Sequence, residues 1–213
     1  MAFAGYDFYL SGIPIDTSVK DPPTEGPLGD YICKRLLDSL RLNIGTFLEW
    51  KIKLKLGSTL NAVAKGALAA AVAITTPPIG ALILAYLAAT TDIFDFPSGG
   101  EMLLESTKDE WTKLKGILDQ RAAWPIGLVR YHKSPWKDHQ VLAIGYTDNG
   151  AGQGTLLVWE NIDGRTQRTI TLDFTGNELK AAGPYGQNKN YSDLRGFFPA
   201  KYSVHRPPDD LAP

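Results

Sequence analysis

Cysteine is nearly absent from this chain: Cys33 is the one thiol in 213 residues. A lone cysteine excludes an internal disulfide and a cysteine-rich zinc site. Histidine is almost as scarce, with only His132, His139 and His205, and no two of them have the spacing of a zinc-binding helix. An excess of either charge is missing too. Lysine and arginine number 22 against 23 acidic residues, a net charge of -1, so nothing points to a nucleic-acid partner. The chain has no Gly-x-Ser-x-Gly elbow, no Walker sequence and no dinucleotide fingerprint. Asp148 to Gly154 is glycine-rich, but it joins two expected strands and opens no helix, so it is no phosphate cradle. No metal and no cofactor are expected. No basic stretch precedes a short apolar one at the start, so no signal peptide is expected and the compartment stays open.

Charge is missing altogether from Gly66 to Thr91, which is mostly Ala, Leu, Ile and Val. About 20 such residues suffice to span a bilayer. Pro77-Pro78 divides the run into two pieces, each short for a span. The expected structure is a buried helical hairpin, Leu60–Thr75 and Ile79–Thr91, inserted at about 58–92. Two other readings stay open: a membrane-active hairpin through 66–91, and a partner-binding face.

What is present falls into two halves. Met1 to Leu10 is an apolar helix candidate that Ser11-Gly12 and Pro14 bring to an end. Leu28, Ile32, Leu36 and Leu40 repeat at four-residue spacing and predict a helix over Pro27–Leu42, with Cys33 beside the stripe as a packing residue. Trp50, Ile52, Leu54 and Leu56 alternate with Lys51, Lys53 and Lys55, which predicts a strand with a basic solvated face. Leu104, Thr107, Trp111, Leu114 and Leu118 mark another helix, with Ser106 and Asp109 as a capping box. After that come strands: Trp124–Tyr131, the His139 strand, Thr155–Asn161 and Thr166–Phe174. Thr175–Asp193 reads as a polar loop and Leu194–Val204 as a closing strand. One domain of two lobes is expected. A helical lobe covers 1–123, an antiparallel sheet lobe 124–204, and a flexible tail 205–213.

His139 stands at the entrance of the strongest strand, Val141 to Tyr146. There its ring can face a cleft while the backbone behind it is pinned in a sheet. The sequence His139-Gln140-Val141-Leu142-Ala143-Ile144-Gly145-Tyr146 resembles the histidine strand of papain-like cysteine peptidases. In a bacterial and fungal group of that fold, the nucleophile helix looks like Gly-Gly-Met-Cys-Phe, then an Asp-Tyr-Phe-like run and Gly-Ile-Pro-Ile. Met1-Ala2-Phe3, Tyr6-Asp7-Phe8-Tyr9 and Gly12-Ile13-Pro14-Ile15 fill that pattern here, with Ala2 in the cysteine position. Pro125-Ile126-Gly127-Leu128, Val158-Trp159-Glu160-Asn161 and Arg195-Gly196-Phe197-Phe198 follow in the family's order.

The resemblance implies an α+β papain-like fold, a helical lobe followed by an antiparallel sheet or half-barrel. It also implies His139 as base then acid, and Glu160 as the residue that orients the ring. Asn161 is the alternative, since neighbours on a strand point to opposite faces and only one can reach His139. Trp136 would wall the cleft. Asp138 would point away from His139 into solvent, and Gln140 would face away from it too. Alanine supplies no nucleophile, so the chain as written is expected to be inactive, either a silenced catalyst or a natural pseudoenzyme. An active counterpart would cleave a peptide or amide bond in a peptide or protein substrate. A delivered toxin or effector, with an immunity protein over the cleft, is the biological setting expected by analogy. A peptide-binding module with an inert cleft and a membrane-associated interaction protein are the alternatives.

Overall fold

Helix gives way to sheet at Ala123. The computed structural model describes residues 2–14, 23, 25–56, 100–131, 138–160, 166–185, 189–208 and 211. Three α-helices are found among them: α1 (Ala2–Ser11), α2 (Gly26–Leu56) and α3 (Gly100–Gln120). The strands are β1 (Trp124–Arg130), β2 (His139–Gly150), β3 (Gln153–Glu160), β4 (Thr166–Asp173), β5 (Lys180–Ala182), β6 (Pro184–Tyr185), β7 (Lys189–Asn190) and β8 (Leu194–Pro199). Six of them form one sheet in the order β5-β4-β3-β2-β1-β8, with every neighbouring pair antiparallel. The fold is therefore α+β, with an antiparallel half-barrel sheet after the helices. The apolar segment 66–91, and with it the expected hairpin, lies outside the described residues. Among the described residues, no helix is long and apolar enough to cross a membrane.

α1 stops where its sequence demands. Gly12 takes φ +64°, its N–H donates to Tyr9 O, and the Ile13 N–H donates to Phe8 O. This is a Schellman closure, which an L side chain at Gly12 would strain. Leu104, Trp111 and Leu114 of α3 cover one sheet face, against Ile126, Leu128, Val141, Leu156, Val158 and Ile170. On the other side Tyr6 of α1 packs with Ala123 and Leu142.

Several expectations are corrected here. Trp50 to Leu56 is not a strand but the last turns of α2. Lysine, leucine and glutamate all favour helix, and Glu49 pairs with Lys53 one turn on, at 2.8 Å. Lys51 is buried rather than solvated. The four-residue leucine repeat is an inner face of α2 only at its start: Leu28 and Ile32 pack against Ala4, Phe8 and Tyr31, but Leu36 is 45% exposed. Tyr31, Arg35, Ser39, Asn43 and Phe47 are the buried positions instead. They too repeat every fourth residue, and polar partners in α1 and in the 201–205 segment make their burial tolerable. Ser106 is no cap, since α3 begins at Gly100. The loop 175–193 carries β5, β6, β7 and a 3-10 turn, Tyr191–Asp193. The closing strand ends at Pro199, not Val204.

The chain after β8 is bonded back to the helices. Asn43 donates to Lys201 O and accepts from the Lys201 N–H. Arg35 donates to Ser203 O, and the His205 N–H donates to Asp7. Pro207 is buried, and Leu211 packs beside Ala4, Phe8 and Tyr31. The segment is thus a strap across α1 and α2.

Candidate active site

His139 is the first residue of β2 and Glu160 the last of β3. Leu142 lies opposite Trp159, so Glu160 faces Val141, and His139 lies diagonally across on the same side. The side chains meet: His139 Nε2 is 2.7 Å from Glu160 Oε1. Glu160 has no exposed surface, while the imidazole keeps 17% of its own. The Tyr191 hydroxyl donates to Glu160 Oε2 at 2.9 Å, and Tyr191 is itself fully buried. The Tyr191 N–H is held by Gly183 O, so the phenol reaches the carboxylate from an anchored turn. Both carboxylate oxygens therefore have donors, which is the condition for burying an acid.

This arrangement can do a definite chemistry. With Nε2 turned to Glu160, Nδ1 is the ring nitrogen that can exchange a proton with a bound group. A carboxylate in this place orients the ring and selects its tautomer. Of the two residues weighed as the orienting group, Glu160 meets His139. Asn161 lies outside the described residues, as does Trp136.

Ala2 is the first residue of α1 and is buried. α1 lies on the sheet with its Gly5 so close to the Trp159 ring that a Cβ there would come within 3.1 Å of it. Trp159 thus faces α1 and Glu160 the opposite side of β3. Along α2, Tyr31 packs on Phe8, and one turn later Arg35 stacks over Phe3. One turn further still, the Ser39 hydroxyl donates to Gln140 Oε1, beside His139. Helix α2 therefore carries the N-terminal end of α1 and the entrance of β2 on successive turns. Gln140 faces α2, as its alternation with His139 requires.

Asp138 corrects the expectation of a solvated residue. Its side chain is 2% exposed and pairs with Lys51 at 2.8 Å. Oδ1 also accepts the Arg130 N–H. Oδ2 is buried without a hydrogen-bond partner among the described residues. Burial pushes this carboxyl up to about 6, against the pull of Lys51 and the Arg130 N–H.

A third buried carboxylate, Asp7, holds α1 in place. It takes Arg35 Nε at 2.5 Å, the Tyr31 hydroxyl at 3.0 Å, the Tyr202 hydroxyl and the His205 N–H. Burial first, and then the hydrogen bond and charge of Asp7, raise both phenols. From sequence, Tyr191 has no assigned role, Asp7 only a place in the family's pattern, and Lys51 a solvated face. The one charge in an otherwise apolar α1 was the available signal for Asp7. Nothing local marks Tyr191.

Cys33 is exposed on α2. Among the described residues no group of three His, Cys, Asp or Glu could hold a metal ion. An open depression of about 330 Å³ over β3 to β5, lined by Thr155, Thr171, Asp173 and Lys180 among others, includes none of the site residues above. Comparison with protein-family models, with curated proteins and with solved structures found no match.

Proposed function

We propose that this chain is a papain-like cysteine-peptidase domain whose nucleophile position holds alanine. The observation that carries the reading is the buried His139–Glu160 pair at 2.7 Å, backed by Tyr191. A buried carboxylate turned onto one imidazole nitrogen is what a general base needs to keep its other nitrogen basic and aimed. The reading requires that, in the active counterpart, a cysteine at position 2 reaches His139 Nδ1 and gives it its proton. The thiolate attacks the carbonyl carbon of a peptide or amide bond. The imidazolium then returns the proton to the leaving amine, and water releases the acyl group by the same base. A helix N-terminus favours the thiolate, and position 2 opens α1. Substrates are peptides or proteins; a toxin or effector role with an immunity partner rests on analogy of fold.

The test is an Ala2→Cys variant treated with a thiolate-reactive probe near neutral pH. Fast labelling that His139→Ala slows by about 10²-fold or more supports the reading. Labelling indifferent to His139 overturns it and leaves a peptide-binding module as the successor. Cys33 is controlled by probing the unaltered chain.

A further inference from the structure

Beyond the last described rung between β1 and β2, two hydrogen-bonding groups of the β1 backbone are met by side chains. β1 and β2 pair from Trp124–Ala143 to Leu128–His139, and β2 begins there. Arg130 lies two residues beyond that last rung. Its N–H donates to Asp138 Oδ1 at 2.9 Å, and its carbonyl accepts Lys51 Nζ at 2.6 Å. Lys51 and Asp138 are bonded to each other at 2.8 Å, with side chains 1% and 2% exposed. The ion pair therefore holds both backbone groups of Arg130 just past that rung. It does so at the residue preceding His139 and ties that point to α2.

We infer that Lys51 and Asp138 are positioning residues for His139, a side-chain rung that fixes the start of β2 so that the imidazole meets Glu160. A pair of matching apolar residues would fill this space without the cost of desolvating two charges. Apolar side chains could not satisfy the Arg130 N–H and carbonyl, however, and the histidine backbone would then start from a frayed strand end. The pair acts through the backbone of residues 138 and 139 and touches no substrate. This role rests on the peptidase reading, but its geometry can be tested without any activity.

The experiment compares the His139 ring signals in NMR spectra of the unaltered chain and of Lys51→Met/Asp138→Asn at one fixed pH, with His139→Ala to identify them and Glu160→Gln to mark the ring without its carboxylate. The double variant is expected to move the ring signals most of the way to their Glu160→Gln positions. Lys51→Arg, which keeps charge and donors, is expected to leave them in place. Ring signals unmoved in the folded double variant overturn the inference. Should the double variant not fold, Lys51→Met alone decides by the same comparison. If neither variant folds, the pair is structural and the inference is overturned. In the Ala2→Cys background, Lys51→Met/Asp138→Asn is expected to slow probe labelling about tenfold or more. If Ala2→Cys never shows labelling that depends on His139, the peptidase reading falls, while the ring signals still decide the positioning role.

Discussion

Glu160 carries the local argument because it is an acid with no exposed surface whose two oxygens meet His139 and Tyr191. Remove the phenol oxygen and Oε2 loses its hydrogen bond inside the core. Tyr191→Phe is therefore expected to cost about 1–3 kcal/mol in chemical denaturation, well above the few tenths of an ordinary surface substitution. A loss under about 0.5 kcal/mol would show that Oε2 is satisfied in another way. The partnership of His139 with Glu160 could be narrowed from sequence, since alternation along a strand left only Glu160 or Asn161 to choose from. Tyr191 could not be found in that way. It lies 31 residues from Glu160 in an irregular segment, and periodicity is silent there.

At the scale of the element, α2 shows why a repeat of apolar residues is a weak guide to burial. Two four-residue stripes run along it. The leucine stripe reaches solvent at Leu36, and the polar stripe of Tyr31, Arg35, Ser39 and Asn43 faces inward. A helix interior can be polar when partners meet every group, and those partners come from α1, β2 and the 201–205 strap. The alternation over 50–56 misled for a related reason. Over one or two turns, helix and strand periods fit the same few residues, and Lys51 was assigned to water because its partner Asp138 is 87 positions away (138 - 51). That pair also sets a pH dependence. Burial holds Asp138 near 6, above the ordinary 3.8. Between about pH 4 and 6 the unfolded chain ionises this carboxyl while the folded one retains its proton, so stability from this group falls as pH rises through that window and levels off above it. Urea midpoints of the unaltered chain and Asp138→Asn, compared from pH 4 to 7, should show the advantage of the unaltered chain shrinking with rising pH. An advantage that grows over the same range would mean that Lys51 holds the carboxyl below its ordinary value.

For the whole molecule, the end of the chain fastens its beginning. Asp7 in α1 is bonded to Arg35 and Tyr31 of α2 and to Tyr202 and His205 of the strap. Tyr202 also packs edge-on against Phe3 and against Trp124, so the strap bridges the first helix and the first strand. Ending the chain after Ala200 removes two of the four partners of a buried carboxylate and the Tyr202 ring from Phe3. A hydrogen bond to a charged group contributes about 1.5–3 kcal/mol. The truncated chain is expected to expose α1 to proteolysis within Ala2–Ser11 while protection of the sheet amides persists. Hydrogen exchange resolved by segment separates that outcome from equal protection of α1 in both chains, which would show that the strap is dispensable.

Among the described residues, α1, the first turns of α2, α3 and the antiparallel strands β1 to β4 follow from the sequence alone, because turn residues and residue periods are local properties. So does the end of α1 at Ser11-Gly12. The candidate base was also visible there, in a histidine placed ahead of an apolar strand. Tertiary structure alone decided which polar residues could be buried. Arg35, Lys51, Asp7 and Glu160 are tolerated inside because charges and donors distant in sequence meet them at 2.5 to 2.9 Å. No window of sequence records such meetings, since each depends on how the whole chain closes.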